Sequence, residues 1–152
     1  MTRYRYTSSP VLIILLVLGF VSPTNAEERA FKAQANGEFV IHDGGLTITI
    51  EETGFATHLG RYQAEGVFVF AGVNADGTVH FITSVTYAAA NGDILETTGT
   101  ADVDLVTGIT VGEDTFVGGT GRFADATGTI SFVSIATGPT TYHSTITGIV
   151  DY

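Results

Sequence analysis

Apolar and polar residues alternate with a period of two along much of the chain after residue 30. In the clearest segment, Leu46, Ile48 and Ile50 alternate with threonines and a glutamate. This alternation is typical of a strand that buries one face and exposes the other. Turn signals at 42–45, 74–77 and 90–93 separate the segments, and the last contains Asn-Gly, which favours a tight hairpin. The chain contains no long 3.6-residue apolar period, so the pattern predicts an all-β protein.

The pattern predicts about eight strands at hairpin spacing. They are 31–41, 46–51, 61–71, 79–87, 94–105, a short stretch bracketed by 107–108 and 112–113, 129–136 and 142–152. Asn36-Gly37 weakens the first of them, and the second is expected to end near Thr53-Gly54 or at 58–60. The spacing leaves no crossover helix, which argues against an α/β fold. An eight-stranded antiparallel β-barrel would remove the exposed sheet edges, and a two-sheet β-sandwich fits the pattern nearly as well.

Residues 1–26 have the features of a secretory signal peptide. Arg3 and Arg5 precede an apolar run over 11–21, and small and polar residues lead to Ala26 at the expected cleavage site. The run is shorter than the roughly 20 residues of a membrane-spanning helix. We therefore expect one exported domain, residues 27–152, in the periplasm or outside the cell, with no membrane span once the signal is removed. The chain has no cysteine, so no disulfide stabilises that domain.

The predicted mature domain is acidic. It carries four Lys and Arg residues against sixteen Asp and Glu residues, a formal net charge of −12. Such a surface repels phosphate backbones, so nucleic acid is excluded as a partner. Binding to an anionic membrane surface is disfavoured for the same reason. The acids are spread along the chain and are expected to form a solvated surface.

A glycine-rich motif separates the sixth and seventh predicted strands. Its members are Gly118, Gly119, Thr120, Gly121, Arg122, Phe123 and, after a small residue, Gly128. Nucleotide-binding glycine motifs open a helix, whereas this one precedes a strand, so we expect a turn or bulge at the rim of the barrel. Arg122 is expected to pair with Asp125 or with an acid on a neighbouring strand, and its alternative partner is a ligand carboxylate.

This motif resembles the signature of the allene oxide cyclase and dirigent superfamily of small β-barrels. Residues 57–61 and 89–93 are similar to elements of a bacterial secreted branch of that superfamily. The resemblance implies an eight-stranded barrel and a homo-oligomer, commonly a trimer. Its plant members include an enzyme that cyclises an unstable fatty-acid epoxide and dirigent proteins that orient phenoxy radicals. Their catalytic acids have no residue-by-residue match in this chain, so neither activity carries over.

Candidate chemistry is sparse. His58 lies near Arg61 and Glu65, and a histidine beside a carboxylate can act as a general base, although a lone histidine at a strand end is more often a hydrogen-bonded structural residue. On a strand, Arg61 and Glu65 share one face while Tyr62 lies on the other. No two histidines have the i, i+2 spacing of a metal site on a strand, and we predict no metal and no cofactor.

Aromatic side chains supply the candidate ligand contacts. Together with Arg122, the candidates are Tyr62, Phe68, Phe70, Phe81 and Tyr87, which would equally serve as core. Three functions stay open at this point. The first is a binding module for a small apolar or amphipathic molecule, without covalent chemistry. The alternatives are an isomerase or cyclase of the allene oxide cyclase type, and a structural or interaction protein whose barrel is packed solid.

Overall fold

The computed structural model describes residues 28–152, which form a closed eight-stranded β-barrel. The strands are β1 (Arg29–His42), β2 (Thr47–Ala56), β3 (Gly60–Val73), β4 (Val79–Ala89), β5 (Ile94–Asp104), β6 (Ile109–Gly119), β7 (Thr127–Ala136) and β8 (Thr141–Asp151). The predicted all-β class and eight-stranded antiparallel barrel are confirmed, and the sandwich alternative is not found. The signal peptide predicted for residues 1–26 lies outside the described residues.

Each strand pairs antiparallel with its neighbours in sequence, and β1 pairs with β8 to close the sheet. Arg29 lies opposite Val150, and the pairing continues to Glu38 opposite Thr141. Side chains along each strand point alternately into the barrel and outward, and the buried residues lie on the inner face. Some outer positions, such as Val69 and Val133, are apolar as well. No strand of the described barrel therefore presents an open edge.

Two strands continue through glycines at which the sequence pattern predicted that a strand would end. β2 continues past Gly54 to Ala56, so the turn lies at 57–59, the second of the two expected positions. β6 continues through Gly112 to Gly119, and the short stretch predicted there is a full strand. The reason is packing inside the barrel. A side chain at Gly112 would overlap the Phe132 ring, and one at Gly54 would overlap the Tyr62 ring.

The two ends of the barrel differ. At the end where the turns 57–59, 90–93 and 120–126 lie, the interior is filled; we call this the filled end. The buried side chains there include Phe31, Leu59, Leu95, Phe116, Phe123, Ile130 and Val150. At the opposite end, where the turns 43–46, 74–78, 105–108 and 137–140 lie, the interior is open, and we call this end the mouth.

The glycine-rich motif forms a bulge and a tight turn at the filled end. In the β5–β6 pairing, Glu96 lies opposite Gly118 and Thr97 opposite Phe116, so Val117 is an extra residue. Gly118 has φ +113° and Gly121 has φ +58°, both in the region that favours glycine. A 3-10 turn (Gly121–Phe123) then places the fully buried Phe123 into the filled end. The prediction of a turn or bulge at the rim is confirmed.

Arg122 joins the loops of the filled end. Its guanidinium donates a hydrogen bond to the backbone carbonyl of His58 in the 57–59 turn. It also lies 3.7 Å from the carboxylate of Asp93, in the 90–93 turn. The guanidinium stacks 4.8 Å from the Phe123 ring. The ion pair expected with Asp125 or an acid on a strand is thus made with an acid in a turn.

Candidate functional site

A cavity of about 300 Å³ opens at the mouth and reaches to the middle of the barrel. Most of its wall is apolar, and its polar groups are few. The apolar lining residues are Phe39, Ile41, Ile48, Ile50, Phe68, Val85, Val103, Leu105, Ala136, Pro139, Phe132 and Ile146. The polar lining residues are Glu52, Tyr87, Asp104, Thr110, Asp114, Ser134, Tyr142 and Ser144, with Gly108 and Gly138 at the mouth. A concave apolar site with a few polar groups is typical of small-molecule binding.

Glu52 lies at the inner end of this cavity and is 6% exposed. The Tyr62 hydroxyl donates to its Oε1 and the Tyr142 hydroxyl donates to its Oε2, each at 3.1 Å. Both carboxyl oxygens therefore have a donor. Burial of a carboxyl without such partners would be strongly unfavourable, so this trio forms one unit.

Two glycines make room for the tyrosines of that trio. A side chain at Gly37 on β1 would overlap the Tyr142 ring, and one at Gly54 on β2 would overlap the Tyr62 ring. The bare backbone at these inward positions lets each ring lie against the barrel wall. Each of the two hydroxyl groups then binds a different oxygen of the same carboxyl group. The site therefore requires glycine at both positions.

Asp114 is the second buried carboxyl group of the cavity and is 2% exposed. The Thr83 hydroxyl donates to its Oδ1 at 2.6 Å, and the Thr97 hydroxyl donates to its Oδ2 at 2.9 Å. Gly99 lies under this carboxylate, and a side chain there would overlap Asp114. The arrangement repeats that of Glu52 with threonines in place of tyrosines.

The environment shifts the pKa values of these groups upward. Burial raises the pKa of Glu52, while hydrogen bonds from Tyr62 and Tyr142 oppose that rise. Burial also raises the pKa of Asp114, opposed by Thr83 and Thr97. The pKa values of Tyr62 and Tyr142 are raised by burial and by the nearby charge of Glu52, so both stay protonated donors. Perturbed carboxyl groups inside a cavity are typical of functional sites.

Residues 28–152 contain no group of three or more His, Asp and Glu side chains placed to hold a metal ion. Nor does any helix within that range have the length and apolar character to cross a membrane.

No protein-family model matches the sequence, and no curated protein matches it. A solved structure does match the fold: that of the pterocarpan synthase dirigent protein GePTS1. The match covers 98% of this chain and 98% of that chain, with a TM-score of 0.55 and 14% sequence identity. This chain has the fold of a dirigent-like barrel. The identity is low, so the likeness concerns the fold, and the resemblance noted from the glycine-rich motif is confirmed at that level.

The dirigent-like barrel brings some of the predicted ligand residues to the cavity. Phe68 and Tyr87 line it, and Tyr62 reaches its inner end through the hydroxyl group bound to Glu52. Phe81 is buried against Phe68 but is not part of the lining. Phe70 is 38% exposed and also lies outside the lining.

The predicted catalytic candidates lie away from the cavity of the dirigent-like barrel. Arg61 and Glu65 are exposed on the outer face of β3, on the side opposite to Tyr62, as the strand parity indicated. His58 lies in a turn at the filled end, where its ring nitrogen contacts the Ala30 carbonyl at 3.1 Å. Arg122 is held there as well, bound to the His58 backbone. The structure therefore does not bring these groups to the apolar cavity.

Glu52, Asp114 and Tyr142 are site residues that the sequence patterns did not indicate. A signal for Glu52 existed, because it continues the apolar face that Ile48 and Ile50 begin on β2. An acid in the buried phase of a strand needs partners and is therefore a candidate site residue. Glu51, the preceding residue, is exposed. Two consecutive acids are typical of a solvated surface, so the buried position of Glu52 was not recognised.

Proposed function

We propose that this protein binds a small, mainly apolar molecule inside the barrel, with the polar part of the ligand directed to the buried carboxyl groups. The observation that carries the proposal is the cavity of about 300 Å³ with apolar walls and hydrogen-bonding groups at its inner end. Apolar burial would supply most of the binding free energy, and the carboxyl groups would set the orientation of the ligand.

Binding of a neutral fluorescent apolar probe, N-phenyl-1-naphthylamine, tests this proposal. The emission of the probe should rise and saturate on titration with the mature protein. Native mass spectrometry with organic extraction of the purified protein would look for a molecule that is retained from the source. Absence of both a saturable emission change and an extracted molecule would contradict the proposal.

Two tryptophan variants on one strand provide the matched control. Ser134 faces the cavity, and Ser131 faces solvent. Ser134→Trp should fill the cavity and weaken probe binding by about tenfold or more, which corresponds to about 1.4 kcal/mol. Ser131→Trp should leave it unchanged. If Ser134→Trp does not fold, Ala136→Trp at the mouth serves the same purpose.

A second candidate function is an isomerisation or cyclisation inside the same cavity. It is favoured by one observation, that two carboxyl groups with raised pKa values, Glu52 and Asp114, both line the cavity. A carboxyl group whose pKa approaches the working pH can donate a proton to a reacting group or accept one from it. The walls would hold the substrate in one conformation.

An unsaturated fatty-acid epoxide generated in solution tests this candidate. If the protein cyclises it, the product should have an enantiomeric excess that Glu52→Gln and Asp114→Asn reduce. Glu51→Gln changes a neighbouring exposed acid and should have no effect. A racemic product, the same with and without protein, would contradict the candidate for that substrate class.

A further inference from the structure

The cavity carries negative groups without positive ones. Glu52 and Asp114 line its inner part, and Asp104 lines the mouth. Within residues 28–152, no Lys, Arg or His side chain lines it. The described basic and imidazole side chains lie elsewhere: Arg29, Arg122 and His58 at the filled end, and Lys32, Arg61, His42, His80 and His143 on the outer face. The formal charge of the cavity wall is therefore negative.

Ionised carboxylates can accept all the hydrogen bonds at the inner end of the cavity. All four oxygens of Glu52 and Asp114 accept a hydrogen bond from a hydroxyl group. A protonated carboxyl group would use one oxygen as a donor, whereas a carboxylate only accepts. The four hydroxyl donors are neutral, so they orient the carboxylates without balancing their charge. A buried charge is usually paired with an opposite charge, and here the described part of the protein supplies none.

Aromatic rings complete a site suited to a cation. Phe68, Phe132, Tyr87 and Tyr142 line the same cavity. The face of an aromatic ring attracts a cation, more strongly once water is excluded. The remaining wall is aliphatic and would contact the apolar body of a ligand. A carboxylic acid ligand, by contrast, would bring a third negative group beside two that are already unbalanced.

We propose that the ligand of this barrel is a lipophilic amine: an ammonium head that pairs with the buried carboxylate of Glu52 or of Asp114, on an apolar body that fills the rest of the cavity. This inference rests on the proposed binding function and names its ligand class. The ammonium group supplies the counter-charge that the cavity wall lacks and donates hydrogen bonds to the free lone pairs of that carboxylate.

Three ligands that share one apolar chain test the inference on the unmodified mature protein. Octylammonium, octanol and nonanoate differ only in the head group on one octyl chain, and their affinities are measured by calorimetric titration at neutral pH. We expect octylammonium to bind at least about tenfold tighter than octanol. Nonanoate should bind more weakly than both.

The outcomes separate this inference from the proposed function. If octanol binds as tightly as octylammonium, or nonanoate binds best, the cavity binds apolar molecules but the amine preference is overturned. If none of the three binds, both proposals are overturned. Binding in the expected order supports both.

Pairs of adjacent acids, one buried and one exposed, show whether the cavity causes the preference for an amine. Glu52→Gln combined with Asp114→Asn should reduce the ratio of octylammonium to octanol affinity toward one, and the two single variants identify the carboxylate that pairs with the ammonium group. Glu51→Gln combined with Glu113→Gln removes the same charge from the adjacent exposed positions and should leave the ratio unchanged. Equal effects of the two double variants would show that the net charge of the protein, and not the cavity, sets the preference.

Discussion

Glu52 and Asp114 are stabilised in the barrel by hydroxyl donors and by glycines that leave space for those donors. Tyr142, which donates to Glu52, is 90 residues away in the chain, so only the closed fold brings the two together. The glycine opposite Tyr142, at position 37, belongs to a third strand. The site is therefore a property of several strands at once, and no short motif contains it.

Gly121 provides a test of the turn at the filled end. Its φ is +58°, and a side chain there would also collide with the Asp93 carboxylate. We expect Gly121→Val to lower the free energy of unfolding by more than about 1 kcal/mol, because a branched residue is strained at this φ and displaces Asp93. Chemical denaturation measures the change.

Gly44→Val is the matched control. Gly44 has φ +69°, but a side chain there meets no atom within 4 Å. This variant carries the backbone strain without the collision, so it should be less destabilising than Gly121→Val. An equal loss in the two variants would show that Asp93 plays no part, and an unchanged melting temperature in Gly121→Val would contradict our description of the turn.

At the residue scale, the sequence predicts where the backbone requires glycine better than it predicts which buried side chains contact each other. Gly118 and Gly121 were expected in a turn or bulge because glycine tolerates positive φ, and both have it. Glu52 was not singled out, because its burial depends on Tyr62 and Tyr142, whose positions follow from the register of the strands. Local sequence does not encode that register directly.

The elements themselves were largely predictable. β4 and β5 follow from clear alternation and from the Asn-Gly turn between them. β6 was the least clear, because Gly112 interrupts its pattern. That glycine accommodates the Phe132 ring from the neighbouring strand, a contact that is visible only after the strands are paired. The predicted ends of strands are therefore wrong where a glycine makes room for a neighbouring side chain and does not form a turn.

Arg122 provides a test of how the loops of the filled end are held. One side chain contacts two turns, at His58 and Asp93, from the 3-10 turn that carries it. Arg122→Ala should lower the free energy of unfolding by about 1–2 kcal/mol, since a charged hydrogen bond to a backbone carbonyl is lost along with a partly exposed ion pair. Thermal and chemical denaturation would measure this change.

Arg61→Ala is the control of equal charge. Arg61 is exposed on the outer face of β3, so its removal should change the free energy of unfolding by less than about 0.5 kcal/mol. Equal effects of the two variants would mean that loss of positive charge alone, and not the loop contacts, determines the stability.

For the whole molecule, the buried carboxyl groups predict how stability depends on pH. Burial raises the pKa values of Glu52 and Asp114 above their ordinary values of 4.5 and 3.8. Between the ordinary and the raised values, the folded chain binds more protons than the unfolded chain. The free energy of unfolding should therefore increase as the pH is lowered from neutral toward about 4.5.

Below about pH 4 the trend should reverse. Hydrogen bonds lower the pKa values of Asp76, Asp102 and Asp104, and the main donors are the Thr78 backbone, His80 and Thr107 respectively. The stability that these ionised groups contribute is lost once they are protonated. Urea denaturation at a series of pH values should show a maximum on the acid side of neutrality.

Two double variants separate burial from overall charge. Glu52→Gln with Asp114→Asn should flatten the rise in stability between neutral pH and the maximum. Glu51→Gln with Glu113→Gln removes two charges from the adjacent exposed positions and should retain the rise. If both pairs flatten it equally, repulsion among surface charges explains the pH dependence and the buried groups do not.

The closure of the sheet by β1 and β8 has a practical consequence. Arg29 lies opposite Val150, so the start of β1 and the end of β8 lie side by side at the filled end, on the far side of the barrel from the cavity opening. A linker, dye or solid support attached beside either residue would point away from the path of an entering molecule. The barrel can thus be immobilised from that end while its interior stays accessible to solution.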